Sequence, residues 1–215
     1  MPTLSRYDDP CGIARALDVL GDRWALLVVR ELVFGGKRFA QLRKGLHGIS
    51  PNVLSQRLHE LEARGVLRRT VLEPPADVTL YELTERGRAL EPVLIELGRW
   101  GSLEALTTDR ELSTSALLIA LKTVFDPGAS RDGVVALRLD DEPFTLTISH
   151  GSLDIHAGWT DDADVALETD AATLRAYAFG RETLGAVEVG HRLTVTGDRA
   201  LAEQLGHMFP APRRA

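Results

Sequence analysis

The sequence predicts an α+β chain in two parts: a helical half ending in a two-stranded ribbon, then a mostly antiparallel sheet with helices on one side. Three observations lead there. The first half strings together capped helices of 3.6-residue period, most of them closed by glycine. The second half carries short alternating runs, "GVVALRL", "PFTLTIS", "SLDIHAG" and "DVALETD", separated by the turns "DDEP" and "SHG". Between them the texture changes at residues 110–115, which places domains at 1–110 and 111–215. At 215 residues, each part can bury a core of its own.

Composition sets the outer limits. Hydrophobic residues make up 44% and charged residues 26%, an ordinary soluble globular mix. The N-terminus has no charged stretch leading into a long apolar run, and no segment nears about 18 unbroken apolar residues. The expectation is a cytoplasmic protein that does not enter a membrane. One cysteine, Cys11, excludes an internal disulfide framework and any zinc site built on several thiolates. The six histidines are scattered, so no metal or other cofactor is expected. No GxSxG, P-loop or strand-following GxGxxG occurs, and an enzyme is not expected.

The net charge of −6 is unevenly spread. Residues 1–112 balance 16 basic against 16 acidic side chains, whereas 113–215 hold 9 against 15. From Lys37 to Arg69 the excess is six positive: Lys37, Arg38, Arg43, Lys44, Arg57, Arg64, Arg68 and Arg69 face only Glu60 and Glu62. Such a local field suits a phosphate-facing patch, although charge alone fits a solvated surface equally well.

The order of elements decides more than the charge. Asp9 caps a first helix with Pro10 in its first turn and Gly21 as the stop. Asp22 caps an apolar second helix, "RWALLVVRELVFGG", in which Trp24, Leu26, Leu27, Val28 and Val29 read as core. A short helix, "RFAQLRKGL", comes next. Ser50 then caps a longer one with Pro51 at its first position, where a missing N–H costs nothing. Leu54, Leu58 and Leu61 share one narrow face; Asn52, Ser55, Gln56 and His59 lie opposite. Gly65 stops it, and "VLRRTVLEPPADVTLYELT" forms two strands around a loop of Glu73 to Asp77. Thr84 caps a long final helix striped with Leu90, Val93, Leu94, Leu97 and Trp100, a stripe longer than one small core needs.

Helix, helix, short helix, longer helix and ribbon is the order of a winged helix-turn-helix, whose second turn helix enters the DNA major groove. Asn and Gln can pair bidentately with adenine, and Ser or His can exchange hydrogen bonds with base edges. Arginines at the flank and wing neutralise phosphates without carrying sequence information.

Three stretches, "CGIARALDVLGDRWALLVVREL", "RFAQLRKGLHGISPNVLSQRLHELEARGVLRR" and "YELTERGRALEPVLIELGRWG", resemble the HxlR-type bacterial transcriptional regulators over residues 8–102. The resemblance implies a homodimer, paired through the first and last helices of this half, on a double-stranded operator with two-fold symmetry. One departure is "GDRW", where the family usually has lysine before tryptophan; Arg23 keeps the charge. Several members of that family sense oxidants or electrophiles through a cysteine at the position of Cys11. The dipole at a helix N-terminus favours a thiolate there, while Asp8 and Asp9 oppose it. A redox or electrophile sensor and a buried, inert side chain both remain open for Cys11.

In the second half, a helix from about Ser115 to Phe125 precedes the meander. "AATLRAYAFG" (capped by Asp170), the turn "RETLG", the strand "RLTVTGD" and the helix "RALAEQLGHMF" follow. Leu201, Leu205 and Met208 stripe that last helix. Element order and the "TGD" before it resemble the sterol-carrier-protein-like domain over 113–210. The resemblance implies an apolar tunnel between sheet and helices, and hence a small apolar effector. Trp159, Tyr177, Phe179, Met208 and Phe209 are the candidate wall residues, each also readable as plain core. A packed domain that only widens the dimer, and an apolar-ligand carrier whose first half mainly dimerises, are the alternatives.

Overall fold

The computed structural model describes residues 7–72, 78–104, 108 and 110–210. The expected wing loop, Glu73 to Asp77, lies outside the described residues. The chain divides between Leu94 and Ile95 into two compact units.

In the first unit, α1 spans Gly12–Leu20. Its N-cap is Cys11, whose Sγ accepts from the Ala14 N–H at 3.3 Å, not Asp9. The Asp9 carboxylate accepts from the Cys11 N–H instead, and so shapes the turn that leads into the helix. Likewise α2 is shorter than expected, Ala25–Leu32. Asp22 Oδ1 accepts from the Trp24 N–H and the Asp22 carbonyl from Ala25, so a tight turn precedes the helix. Helix α3 is Phe39–Gly45, and α4 is Pro51–Ala63 with Ser50 Oγ accepting from the Val53 N–H as expected. Gly65 sits at φ +68°, the left-handed geometry that ends a helix cheaply only for glycine.

Strands β1 (Leu67–Leu72) and β2 (Val78–Leu83) form the antiparallel ribbon, with Arg69 opposite Tyr81. Lys37 joins β2 through paired backbone bonds with Tyr81. After it the helix expected from Thr84 is broken in two, α5 (Glu85–Arg88) and α6 (Glu91–Gly101). Pro92 gives the reason: it has no N–H for the Arg88 carbonyl and its ring crowds that turn. Val28, Val29, Leu32, Leu42, Leu46, Leu54, Leu58 and Leu61 form the centre of this unit's core, with Trp24 packed at its edge.

In the second unit α7 (Thr114–Val124), capped by Ser113, leads through a 3-10 turn at Pro127–Ala129 into the sheet. Its strands are β3 (Gly133–Leu139), β4 (Glu142–Ser149), β5 (Ser152–Ala157), β6 (Val165–Thr169) and β7 (Leu193–Gly197). They lie in the order β5-β4-β3-β6-β7, with β3 and β6 parallel and every other pair antiparallel. The first three alternating runs form the expected antiparallel meander, β3-β4-β5, whereas the fourth, β6, does not continue it but returns beside β3 and parallel to it. Helices α8 (Ala171–Ala178) and α9 (Leu184–Val189) cross over from β6 to β7, and α10 (Arg199–Leu205) follows. Register puts Val135, Leu137, Phe144, Leu146, Ile155, Val165 and Leu167 on one buried face, beneath Leu121, Leu174 and Leu205 of the helices. Met208 is buried too, but beyond the end of α10.

Candidate nucleic-acid interface

Helix α4 is built to expose one face. Leu54, Leu58 and Leu61 are buried against the first unit's core, each worth about 1.5–3 kcal/mol of transfer free energy. Asn52, Ser55, Gln56 and His59 are all exposed on the other side. Arg38, Arg43 and Lys44 are exposed at α3, Arg68 and Arg69 are exposed on the ribbon, and Arg64, the C-cap of α4, is half-buried. Arg68 pairs at 3.1 Å with Glu82, across the ribbon.

Two of the eight basic residues are held differently from the rest. The Arg57 side chain is only 13% exposed; its Nη1 lies 3.2 Å from Asp22 Oδ2 and also pairs with Glu60. Its Nε is buried without a hydrogen-bond partner. Lys37 Nζ lies 3.0 Å from Glu31 Oε2, and the Glu31 side chain is fully buried. Arg30 contacts the other oxygen of Glu31 at 2.7 Å. Both cations are therefore offset inside the protein and face its own carboxylates.

Sequence reasoning missed Asp22, Glu31 and Glu60 as parts of this region. The spacing of Glu60 from Gln56 and Arg57, one helical turn, could have signalled it. The partnership of Asp22 with Arg57 spans 35 positions and leaves no local trace.

Cys11 is exposed, so the buried reading of it does not hold. On α1 Ile13 and Leu17, and on α6 Val93, Leu97 and Trp100, are exposed apolar side chains, Trp100 at 68%. Leu94 alone of the expected α6 stripe is fully buried.

The five wall residues proposed for a ligand tunnel differ in their placement among the described residues. Trp159 is exposed in the β5–β6 loop, where the Arg138 guanidinium stacks 4.8 Å from its ring centroid and its Nε1 donates to Asp161. Tyr177 and Phe209 border a void of about 10 Å³ between sheet and helices, room for about one water. Met208 is fully buried, and Phe179 is the half-buried C-cap of α8. A separate, open groove of about 520 Å³ is bordered by Tyr177, Glu182, Thr183, Glu203 and His207. Burial pushes the Tyr177 hydroxyl up to about 12, and it donates to the Ala202 carbonyl while accepting from the Gly206 N–H. The Arg192 guanidinium holds the Glu182 carboxyl below its usual range.

An amphipathic helix with an uncharged polar outer face, followed by a basic two-stranded ribbon, defines a winged helix-turn-helix DNA-binding protein. Comparison with known proteins supplies the family. The HxlR-like helix-turn-helix family matches residues 19–108, and the SCP-2 sterol transfer family matches 129–210. The HTH-type transcriptional regulator YvaP of Bacillus subtilis is 42% identical over 89 residues, 41% of this chain and 82% of that protein. Regulator sll1512 of Synechocystis is 40% identical over 92 residues, 43% of this chain and 68% of that protein. Among solved structures, the redox regulator HypR in its oxidized form is 33% identical, covering 45% of this chain and all of that one, with a TM-score of 0.43. The chain belongs to the HxlR-like helix-turn-helix family and is a transcriptional regulator of that type, with an SCP-2-like second part. No helix among the described residues is long and apolar enough to cross a membrane.

Proposed function

We propose that the protein is a cytoplasmic, homodimeric regulator that binds a double-stranded operator sequence-specifically, with α4 in the major groove. One observation carries the reading: Asn52, Ser55, Gln56 and His59 of α4 are all exposed opposite a leucine face that is fully buried. Asn52, Ser55, Gln56 and His59 face base edges. Arg38, Arg43, Lys44, Arg64, Arg68 and Arg69 hold phosphates, and Lys37 and Arg57 are left out of that set because their charges are offset internally. Residues 1–110 serve DNA binding and dimerisation, and 111–215 serve regulation. The exposed apolar side chains of α1 and α6 supply the dimer surface. Gel shift of the full chain against DNA upstream of its own gene tests the core of this reading. Sequence preference over random duplex at physiological salt is expected; equal affinity for both overturns it.

Control by an apolar effector rests on the SCP-2 sterol transfer match alone. The void of about 10 Å³ between helices and sheet holds about one water, so an apolar ligand entering there displaces the leucines around it. Native mass spectrometry of protein purified from its host reads dimer mass and any retained ligand together; a bare dimer mass counts against the effector.

A second reading, control through Cys11, is favoured by the exposed thiol standing as the cap of α1. Alkylation or disulfide formation between two copies would change the group that accepts from the Ala14 N–H. Labelling of the native protein by a thiol probe at neutral pH is expected; a thiol that stays unlabelled removes this reading.

A further inference from the structure

A chain of polar contacts ties the outer face of α4 to the turn that precedes α2. Asp22 Oδ1 is tied to the Trp24 N–H at 3.1 Å, and Oδ2 lies 3.2 Å from Arg57 Nη1. The same Arg57 nitrogen pairs with Glu60 Oε2. Glu60 Oε1 in turn accepts from Gln56 Nε2 at 3.0 Å. An isolated i, i+4 pair on a helix surface orients little. Here the carboxylate is fixed by a guanidinium that is itself almost buried and anchored outside the helix. The Gln56 amide must turn its NH2 toward Glu60, because the reverse orientation sets a carbonyl against a carboxylate.

We propose that Glu60 is a specificity-determining residue: by occupying one N–H of Gln56, it makes α4 read adenine and reject guanine at one operator position. The proposal rests on the reading of α4 as the major-groove helix. A primary amide has two N–H donors and one carbonyl acceptor. With one donor held by Glu60, the remaining N–H and carbonyl match adenine, which offers an acceptor at N7 and a donor at N6. Guanine offers acceptors at both N7 and O6. A free amide can turn its NH2 to serve both; the tethered one sets its carbonyl against O6 and leaves that oxygen unpaired. Glu60 touches no base in this scheme. It acts through Gln56, and Arg57 is a positioning residue behind it.

The test is selection of operator sites from a randomised duplex pool by the full chain, followed by competition between adenine and guanine at each position. The wild-type chain is expected to favour adenine at one position per half-site by about tenfold or more. Gln56→Ala should abolish the preference there. Glu60→Ala should shrink the adenine-to-guanine ratio at that same position to about threefold or less, with other positions unchanged. Glu60→Gln keeps an acceptor at the same reach but loses the charge, so it should retain the ratio while affinity for all duplexes rises. Asp22→Asn loosens the far end of the chain without changing any residue of α4; it should lower the ratio by a smaller factor, and serves if Glu60→Ala does not fold. A ratio that depends on Gln56 but is unmoved by Glu60→Ala, or by Asp22→Asn where Glu60→Ala does not fold, overturns the proposal alone. A wild-type chain with no base preference at any position overturns the DNA-reading assignment beneath it.

Discussion

At the scale of single residues, the first unit hides its most sensitive group where the sequence shows only another charged helix position. Glu31 is wholly buried between Arg30 and Lys37, and a Cβ added at Gly45 would stand 2.4 Å from Glu31 Oε2. Removing one partner of a buried ion pair strands the other. Glu31→Ala is therefore expected to cost about 3–5 kcal/mol, read as a lower urea midpoint. Gly45→Ala should destabilise through the clash, since a buried carboxylate held by two cations has little freedom to move aside. Tyr177 supplies the pH dependence. Its pKa rises from 10 in the unfolded chain to about 12 when folded, because burial disfavours the phenolate. Its stabilising effect is thus full below pH 10 and is lost as pH climbs toward 12. Thermal melts between pH 9 and pH 12 should show that loss in the wild-type chain, and Tyr177→Phe should remove this component of the slope.

Elements show which local signals survive packing. The Ser50 cap and the leucine stripe of α4 were legible because both lie within one helical turn or a repeat of it. Ser50→Ala is expected to cost about 1 kcal/mol, and Leu58→Ala about 2–5 kcal/mol, in chemical denaturation. The break between α5 and α6 was equally present in the sequence, at Pro92, but the apolar stripe running across it hid the interruption. The start of α1 was misplaced for a subtler reason. Asp9 has the chemistry of a cap, yet its carboxylate bonds the N–H two residues on and hands the capping position to Cys11.

At the scale of the whole molecule, the roles proposed for the basic patch, as a field, and for the polar face, as a reader, should separate under mutation. Arg69→Ala should weaken every duplex alike and lower the salt slope by about one. Gln56→Ala should cost about 1–3 kcal/mol at one base pair and leave the slope unchanged. Equal loss of specificity from both changes would show that reader and clamp have been interchanged. Leu97→Glu, on the exposed apolar face of α6, should shift the mass in light scattering from dimer to monomer. Residues 113–215, with a net charge of −6, tell against a second DNA-binding surface in that half.

The sequence by itself determined the winged helix-turn-helix order, the antiparallel meander and the division of α4 into a leucine face and a polar face. Each of these is encoded in spacings of a few residues, where periodicity and capping act directly. The tertiary structure alone decided which charges remain outward. Asp22 and Arg57 are 35 positions apart, and Lys37 meets Glu31 only because α2, α3 and the ribbon converge. It also decided that Leu121, Leu137, Leu146, Leu174 and Leu205, from three helices and two strands, meet around one void of about 10 Å³. Long-range ion pairs and close packing have no sequence period, which is why neither could be read from the chain before it was folded.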